Sequence, residues 1–204
     1  MDYIVGIDEA GRGPLAGPVA VGLVLVPVDF DWNLLPGVGD SKALSEKKRL
    51  HIYESALLLA KAGKLVSTVE MGSAHRIDKE GIAVVIRGCI DKGLRDLAAR
   101  QSSTFDWAKT RVLLDGSLAA PAYCVHQETI IKGDAKEKVI GLASILAKVT
   151  RDTYMYTCGN KPAYAAYHFD RHKGYGTALH RRLIAEYGFS DEHRISYCKN
   201  VKVC

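Results

Sequence analysis

The sequence predicts an α/β fold, with a mixed sheet flanked by helices and a small helical region at the C-terminus. Two observations predict it. Apolar runs of strand length come early and close together, and stretches with helical spacing then alternate with further strands, the order of a three-layer α/β or α+β core. Hydrophobic residues make up 48% of the 204 and charged residues 25%, enough apolar material for one packed core without disulfide staples.

The elements follow in order. Tyr3–Ile7 is a short β-branched and aromatic run, and Val19–Val26 is a near-continuous apolar run bounded by prolines; both read as buried strands. Ser45 is suited to cap a helix through about Ala62, closed by Gly63. Leu65–Met71 reads as a third strand. A second helix starts near Ser73–Ile77 and runs on through Ile82, Val85, Ile86, Ile90, Leu94 and Leu97, with Gly81 marking a break or a close contact. Arg111–Leu114 and Cys124–Ile131 are two more strands. Val139, Leu142, Ala143, Leu146, Ala147 and Val149 then line one side of the clearest helix. Thr177 caps a last helix to Tyr187, with Gly188 beyond it. A core of 1–157 and a helical region of 158–204 are expected to form one compact unit, divided where Gly159-Asn160-Lys161-Pro162 breaks the long helix.

Cys89, Cys124, Cys158, Cys198 and Cys204 are odd in number and show no CxxC spacing, which excludes a zinc ribbon or a thioredoxin-type motif and points to reduced thiols. Cys89 lies in an apolar helical pattern and reads as a small buried hydrophobe. Met1-Asp2-Tyr3 leads into an apolar strand without a basic region or cleavage site, and Val19–Val28 is too short to span a bilayer, so the expected compartment is the cytoplasm, with no membrane partner. The net charge of +5 is compatible with a polyanion. Its distribution says more: Lys132, Lys136, Lys138, Lys148 and Arg151, then Lys161, Arg171 and Lys173, are interleaved downstream with Tyr164, Tyr167, Phe169 and Tyr175, a mix suited to phosphate contact plus stacking. A solvated helix face explains that mix equally well.

Carboxylates carry the chemistry. Asp8-Glu9 follows an apolar strand directly, and two adjacent acids there are costly unless a cation neutralises them. Asp115 ends the Val112-Leu113-Leu114 strand beside Gly116, and Asp134 stands just ahead of the long helix. Strand ends of an open sheet converge on one crevice. Four oxygen-donor side chains without neighbouring His or Cys suit Mg²⁺ or Mn²⁺ rather than zinc, and two such ions ~4 Å apart can hydrolyse a phosphodiester. Spacing alone leaves open whether Asp115 and Asp134 join Asp8 and Glu9. Gly11-Arg12-Gly13-Pro14-Leu15-Ala16-Gly17-Pro18 is neither a P-loop nor a dinucleotide fingerprint, because a strand and not a helix follows it. It is expected to form a hairpin, to let backbone amides approach a nucleic-acid strand, or both.

These residues resemble the ribonuclease HII family. The resemblance rests on Gly6 through Pro18, Asp40-Ser41-Lys42, Leu114-Asp115-Gly116, Lys132-Gly133-Asp134, Ala143 through Asp152, His172-Lys173-Gly174-Tyr175-Gly176-Thr177 with His180, and His193-Arg194, all in the family's order. The sequence shows no sign of an obligate oligomer, so a monomer is expected; the resemblance implies an RNase H-like fold and an endonuclease that hydrolyses the RNA strand of RNA–DNA hybrids. It further implies nicking on the 5′ side of a single ribonucleotide embedded in duplex DNA, through two ions, leaving 5′-phosphate and 3′-hydroxyl ends. Asp8, Glu9, Asp115 and Asp134 match the family's metal-binding acids, with Asp8 and Asp115 the best candidates for holding the catalytic ion. Gly11, Arg12 and Gly13 match the loop that meets the 2′-hydroxyl, and Tyr175 the tyrosine that packs on the sugar at the RNA–DNA junction. Lys42, Lys148 and Arg151 look like phosphate-binding positions. The chain departs from the family pattern at Gly141-Leu142, at the polar Asp78–Ile82 stretch and in its tail, and at none of the expected metal ligands. A non-catalytic nucleic-acid binder would lack one of the four acids, and a DNA resolvase would lack the Gly-Arg-Gly loop.

Overall fold

The structure is a computed structural model describing residues 1–39, 44–101 and 105–201. Strands β1 (Tyr3–Ala10), β2 (Val19–Pro27), β3 (Val66–Gly72), β4 (Thr110–Asp115) and β5 (His126–Ile130) form one sheet in the order β3-β2-β1-β4-β5. β2 pairs antiparallel with both β1 and β3, while β1–β4 and β4–β5 are parallel, so the sheet is mixed as expected. The helices are α1 (Glu46–Lys61), α2 (Ala74–Glu80), α3 (Ile82–Arg100), α4 (Gly133–Lys136), α5 (Lys138–Gly159), α6 (Phe169–His172) and α7 (Ala178–Tyr187).

Local chemistry explains the boundaries. The Ser45 side chain accepts the Lys48 amide and that of Thr177 accepts the His180 amide, so both expected caps are made. Gly81, at φ +83°, ends α2 and starts α3, which splits the continuous apolar pattern into two helices. α5 runs ten residues beyond Val149, to Gly159, because Met155 and Cys158 continue its buried face against Ala16, Tyr167, Phe169 and Leu183 rather than against the sheet. Its end at Gly159-Asn160 is the break read from the sequence.

Two helical layers cover the sheet. On one face Val5, Ile7, Val21 and Leu23 pack with Ile86, Ile90 and Leu94 of α3. On the other, Val24, Val26 and Leu113 pack with Ile140, Ile145 and Leu146 of α5 and with Ile52 and Ala56 of α1. α5 lies unusually close. A Cβ on Gly6 would stand 2.4 Å from the Val139 carbonyl, and one on Gly22 would stand 2.2 Å from the Ala143 carbonyl oxygen. Those neighbours are backbone and cannot swing aside, so neither position has room for a side chain. The expected outcome is that Gly22→Ala lowers the free energy of unfolding in urea by ~3 kcal/mol, at the upper end for overpacking. Gly13→Ala, with nothing within 4 Å, should change it by less than ~0.5 kcal/mol. A Gly22→Ala cost as small as that of Gly13→Ala would refute the close approach.

Candidate active site

Asp8 and Asp115 are brought together by parallel pairing. Ile7 of β1 aligns with Leu114 of β4, so the next residues, Asp8 and Asp115, end up side by side at the carboxyl end of two neighbouring strands. Gly6 and Leu113, one pleat earlier, face α5, and Asp8 and Asp115 share that face. The Glu9 amide donates to the Asp8 carboxylate at 2.7 Å, and Ser144 of α5 hydrogen-bonds the same side chain. The Gly133 amide, one residue before Asp134, donates to Asp115 Oδ1 at 2.6 Å and ties the start of α4 to the end of β4. Asp134 is buried in α4, and Glu9 forms an ion pair with Arg12 at 3.5 Å.

The electrostatics point to a cation. Asp8 is 4% exposed. Burial pushes its carboxyl up to about 7; the Ser144 hydrogen bond opposes this, and the charges of Glu9 and Asp115 add to it. Among the described residues, no three acids, histidines or cysteines stand close enough to form a finished metal cage. The donor set fits a hard divalent cation: oxygen ligands only, two of them buried, and the most buried one disfavoured as an anion by its own surroundings.

Tyr175, 43% exposed, lies over the cations of Lys148 and Arg151, each 5.7 Å from its ring centroid. Glu9, Gly11, Ser144, Lys148 and Tyr175 share one cavity of ≈ 410 Å³ with Arg49, so expected ligand, loop and sugar-packing residues line a common wall. Lys148 also pairs with Asp152 at 2.9 Å. Arg151 is fully buried: its Nε and Nη2 donate to the Pro18 and Ala16 carbonyls at 2.8 and 3.1 Å. Lys42 lies outside the described residues.

Ser144 carried no individual signal in the sequence, whereas His172, His180 and His193 read as structural hydrogen-bonding residues. Ser144 looks like one small residue within an apolar helix face, yet it bonds Asp8. His172, His180 and His193 form a buried array around Phe169. A carbonyl can only accept, so His180 donates from Nδ1 to Tyr175 and His172 donates from Nε2 to Tyr167. His180 Nε2 must then accept from His193 Nε2, 3.1 Å away, while His193 Nδ1 accepts the Ser190 amide. All three rings are thereby neutral. Burial agrees, pushing His180 down to about 3 and His193 to about 4. Their work is structural: they hold the Tyr175 and Gly174 backbone.

Asp8 makes stability depend on pH. The unfolded chain ionises it near 3.8, whereas the fold keeps it protonated up to about 7, so its contribution is full below about pH 4 and is lost as pH rises through 7. In metal-free protein, the stability of Asp8→Asn relative to wild type should therefore grow between pH 5 and pH 8, as read from urea unfolding in a chelator. A difference that stays constant across that range would contradict the burial of this charge.

Comparison with known proteins gives the family and the fold. The family model for ribonuclease HII matches residues 5–200. Ribonuclease HII of Bacillus anthracis (strain CDC 684 / NRRL 3495) is 42% identical over 198 residues, covering 97% of this chain and 69% of that protein. Its counterpart in Bacillus thuringiensis (strain Al Hakam) is 41% identical over the same shares. Among solved structures, ribonuclease H2 from Pyrococcus horikoshii OT3 has the same fold, with TM-score 0.74 at 21% identity over 98% of this chain and 97% of that one. Bst ribonuclease HIII, solved in complex with Mn²⁺, gives TM-score 0.70 at 15% identity over 97% and 70%. The chain belongs to the ribonuclease HII family, metal-dependent endonucleases that degrade the RNA of RNA–DNA hybrids.

Proposed function

We propose that this chain also nicks duplex DNA on the 5′ side of a single embedded ribonucleotide, using Asp8, Glu9, Asp115 and Asp134 to hold two divalent ions, Mg²⁺ or Mn²⁺, when substrate is bound. The observation that carries the reading is the meeting of Asp8 and Asp115 on adjacent parallel strand ends, with Glu9 next in the chain and Asp134 next to the amide that Asp115 accepts. Bound there, the ions supply activation of the attacking water and stabilisation of the leaving 3′-oxygen.

The protein's own contribution is placement. Ser144 and the Glu9 amide orient Asp8, and the Gly133 amide orients Asp115, so both carboxylates would be held in place for an ion. Arg12 and Gly13 are exposed and follow Gly11, which lines the cavity, so backbone there can approach a 2′-hydroxyl, the group that separates a ribonucleotide from its DNA neighbours. Tyr175, supported from below by two cations, offers its ring to the sugar at the junction. Lys148 borders the same cavity and serves the phosphate beside it; Lys42 is assigned the same task from its motif. Arg151 acts on the backbone from within, through the loop it holds. The region from 158 onward completes the substrate-binding wall.

Cleavage of a DNA duplex with one ribonucleotide, in Mg²⁺ or Mn²⁺, should leave a single nick 5′ of the ribonucleotide and spare an all-DNA control. Cutting of long hybrids alone would remove the single-ribonucleotide activity from the account. Asp115→Asn should slow hydrolysis in Mg²⁺ on the order of 100-fold or more, since it removes a charged ligand; near-normal rates would refute its assignment. Tyr175→Ala should harm cleavage at a single ribonucleotide more than cleavage of long hybrids, and equal losses in kcat/KM would count against the junction role.

A further inference from the structure

Arg194 is 177 to 183 residues away in sequence from the glycine-loop carbonyls it contacts and is wholly buried beneath the loop. Its Nε donates to the Gly17 carbonyl at 2.9 Å, Nη1 to the Arg12 carbonyl at 3.0 Å and Nη2 to the Gly11 carbonyl at 2.7 Å. Arg151, beside it, takes the carbonyls of Ala16 and Pro18. Five loop carbonyls therefore turn inward onto two guanidinium groups. Such burial is expensive when carbonyls are the acceptors, and burial together with the Arg151 charge lowers the Arg194 pKa to about 10.

The consequence is geometric. No peptide bond in the described chain is cis, and across a trans peptide the C=O of one residue and the N–H of the next point in opposite directions. With the Gly11 and Arg12 carbonyls pulled inward, the amides of Arg12 and Gly13 must point outward. Both residues are exposed. Further along the loop the amides are engaged: the Leu15 and Ala16 amides bond Gly174, the Gly17 amide bonds Glu192, and Pro14 and Pro18 have none. Gly11 itself could not carry a side chain, since its Cβ would stand 2.0 Å from Arg151 Nε.

We infer that Arg194 is a positioning residue for ribonucleotide recognition: its guanidinium fork sets the peptide orientation that presents the Arg12 and Gly13 amides as a pair of outward donors to the ribose. This rests on the reading that the loop meets the 2′-hydroxyl. Lysine keeps the charge but not the three-way fork.

The test compares wild type, Arg194→Lys and Gly13→Ala as full chains. Anisotropy gives the affinity of each for a single-ribonucleotide duplex and for its all-DNA twin, without divalent ions so that nothing is cut. The ratio of the two affinities is the readout, with Mn²⁺ affinity measured in parallel. Arg194→Lys should cut the ratio by about tenfold, as loss of donor alignment implies, and leave Mn²⁺ affinity unchanged. Gly13→Ala, whose new methyl has space within the protein, should lower the ratio by blocking the approach. A ratio kept by Arg194→Lys but lost in Gly13→Ala overturns the role of Arg194 and leaves the loop reading standing. A ratio kept by Gly13→Ala overturns the loop reading itself. Parallel loss of Mn²⁺ affinity in Arg194→Lys marks a general structural role and also overturns the inference. Should Arg194→Lys not fold, ¹⁵N spectra of wild type decide: the Arg12 and Gly13 amides should exchange rapidly in the free protein and shift with the ribonucleotide duplex but not with DNA. Protection of both amides in the free protein would be fatal to the proposal.

Discussion

Much of this molecule depends on how closely α5 lies on the sheet. At Gly6 and Gly22 helix backbone meets strand backbone with no side chain between. That contact delivers Ser144 to Asp8 and seats α4 against the end of β4, so the helix that closes the core also orients the carboxylates. Parallel pairing of β1 with β4 supplies the other half, since only a parallel neighbour brings two strand C-termini to the same end of the sheet. The buried carboxyl of Asp8 then becomes a charge that the fold tolerates poorly alone and a cation would relieve.

A second structure is built around the glycine loop. The segment after α5 does more than extend the surface. It crosses back to clamp residues 11–18 through the Ala16–His193 bridge, the Gly17–Glu192 bond and the Arg194 fork. The neutral histidine array holds Tyr175 and Gly174, and the Gly174 carbonyl in turn accepts the Leu15 amide. Ring and loop are thus set by one continuous hydrogen-bonded body, so their relative placement is fixed before any ligand arrives.

The strands, both helix caps, the break at Gly81 and the end of α5 were legible in the sequence, because each is written in local chemistry: apolar runs, Ser45 and Thr177 before helices, glycine at positive φ. The acids were legible as candidates because apolar strands carry them. The pairing that brings Asp8 and Asp115 to neighbouring strand ends was not, since spacing is silent on which strands pair. Arg194 was legible only as part of a motif, because its partners are backbone carbonyls 177 to 183 residues away that bear no side-chain signature. Arg151 shows the converse limit. The resemblance makes it a phosphate-binding position, and only the packing shows that its Nε and Nη2 hold the Pro18 and Ala16 carbonyls.

The most direct test of the central claim, that these acids form the metal centre, is a titration of the full chain with Mn²⁺ followed by the paramagnetic resonance of the free ion. The account predicts saturable binding in wild type, weakened at least about tenfold in Asp8→Asn and in Asp115→Asn, whose removed carboxylates are ligands. Asp91→Asn, which alters an acid paired with Arg95 on the helix surface away from the sheet end, should bind as wild type does. Wild-type Mn²⁺ affinity in both Asp8→Asn and Asp115→Asn would contradict the account.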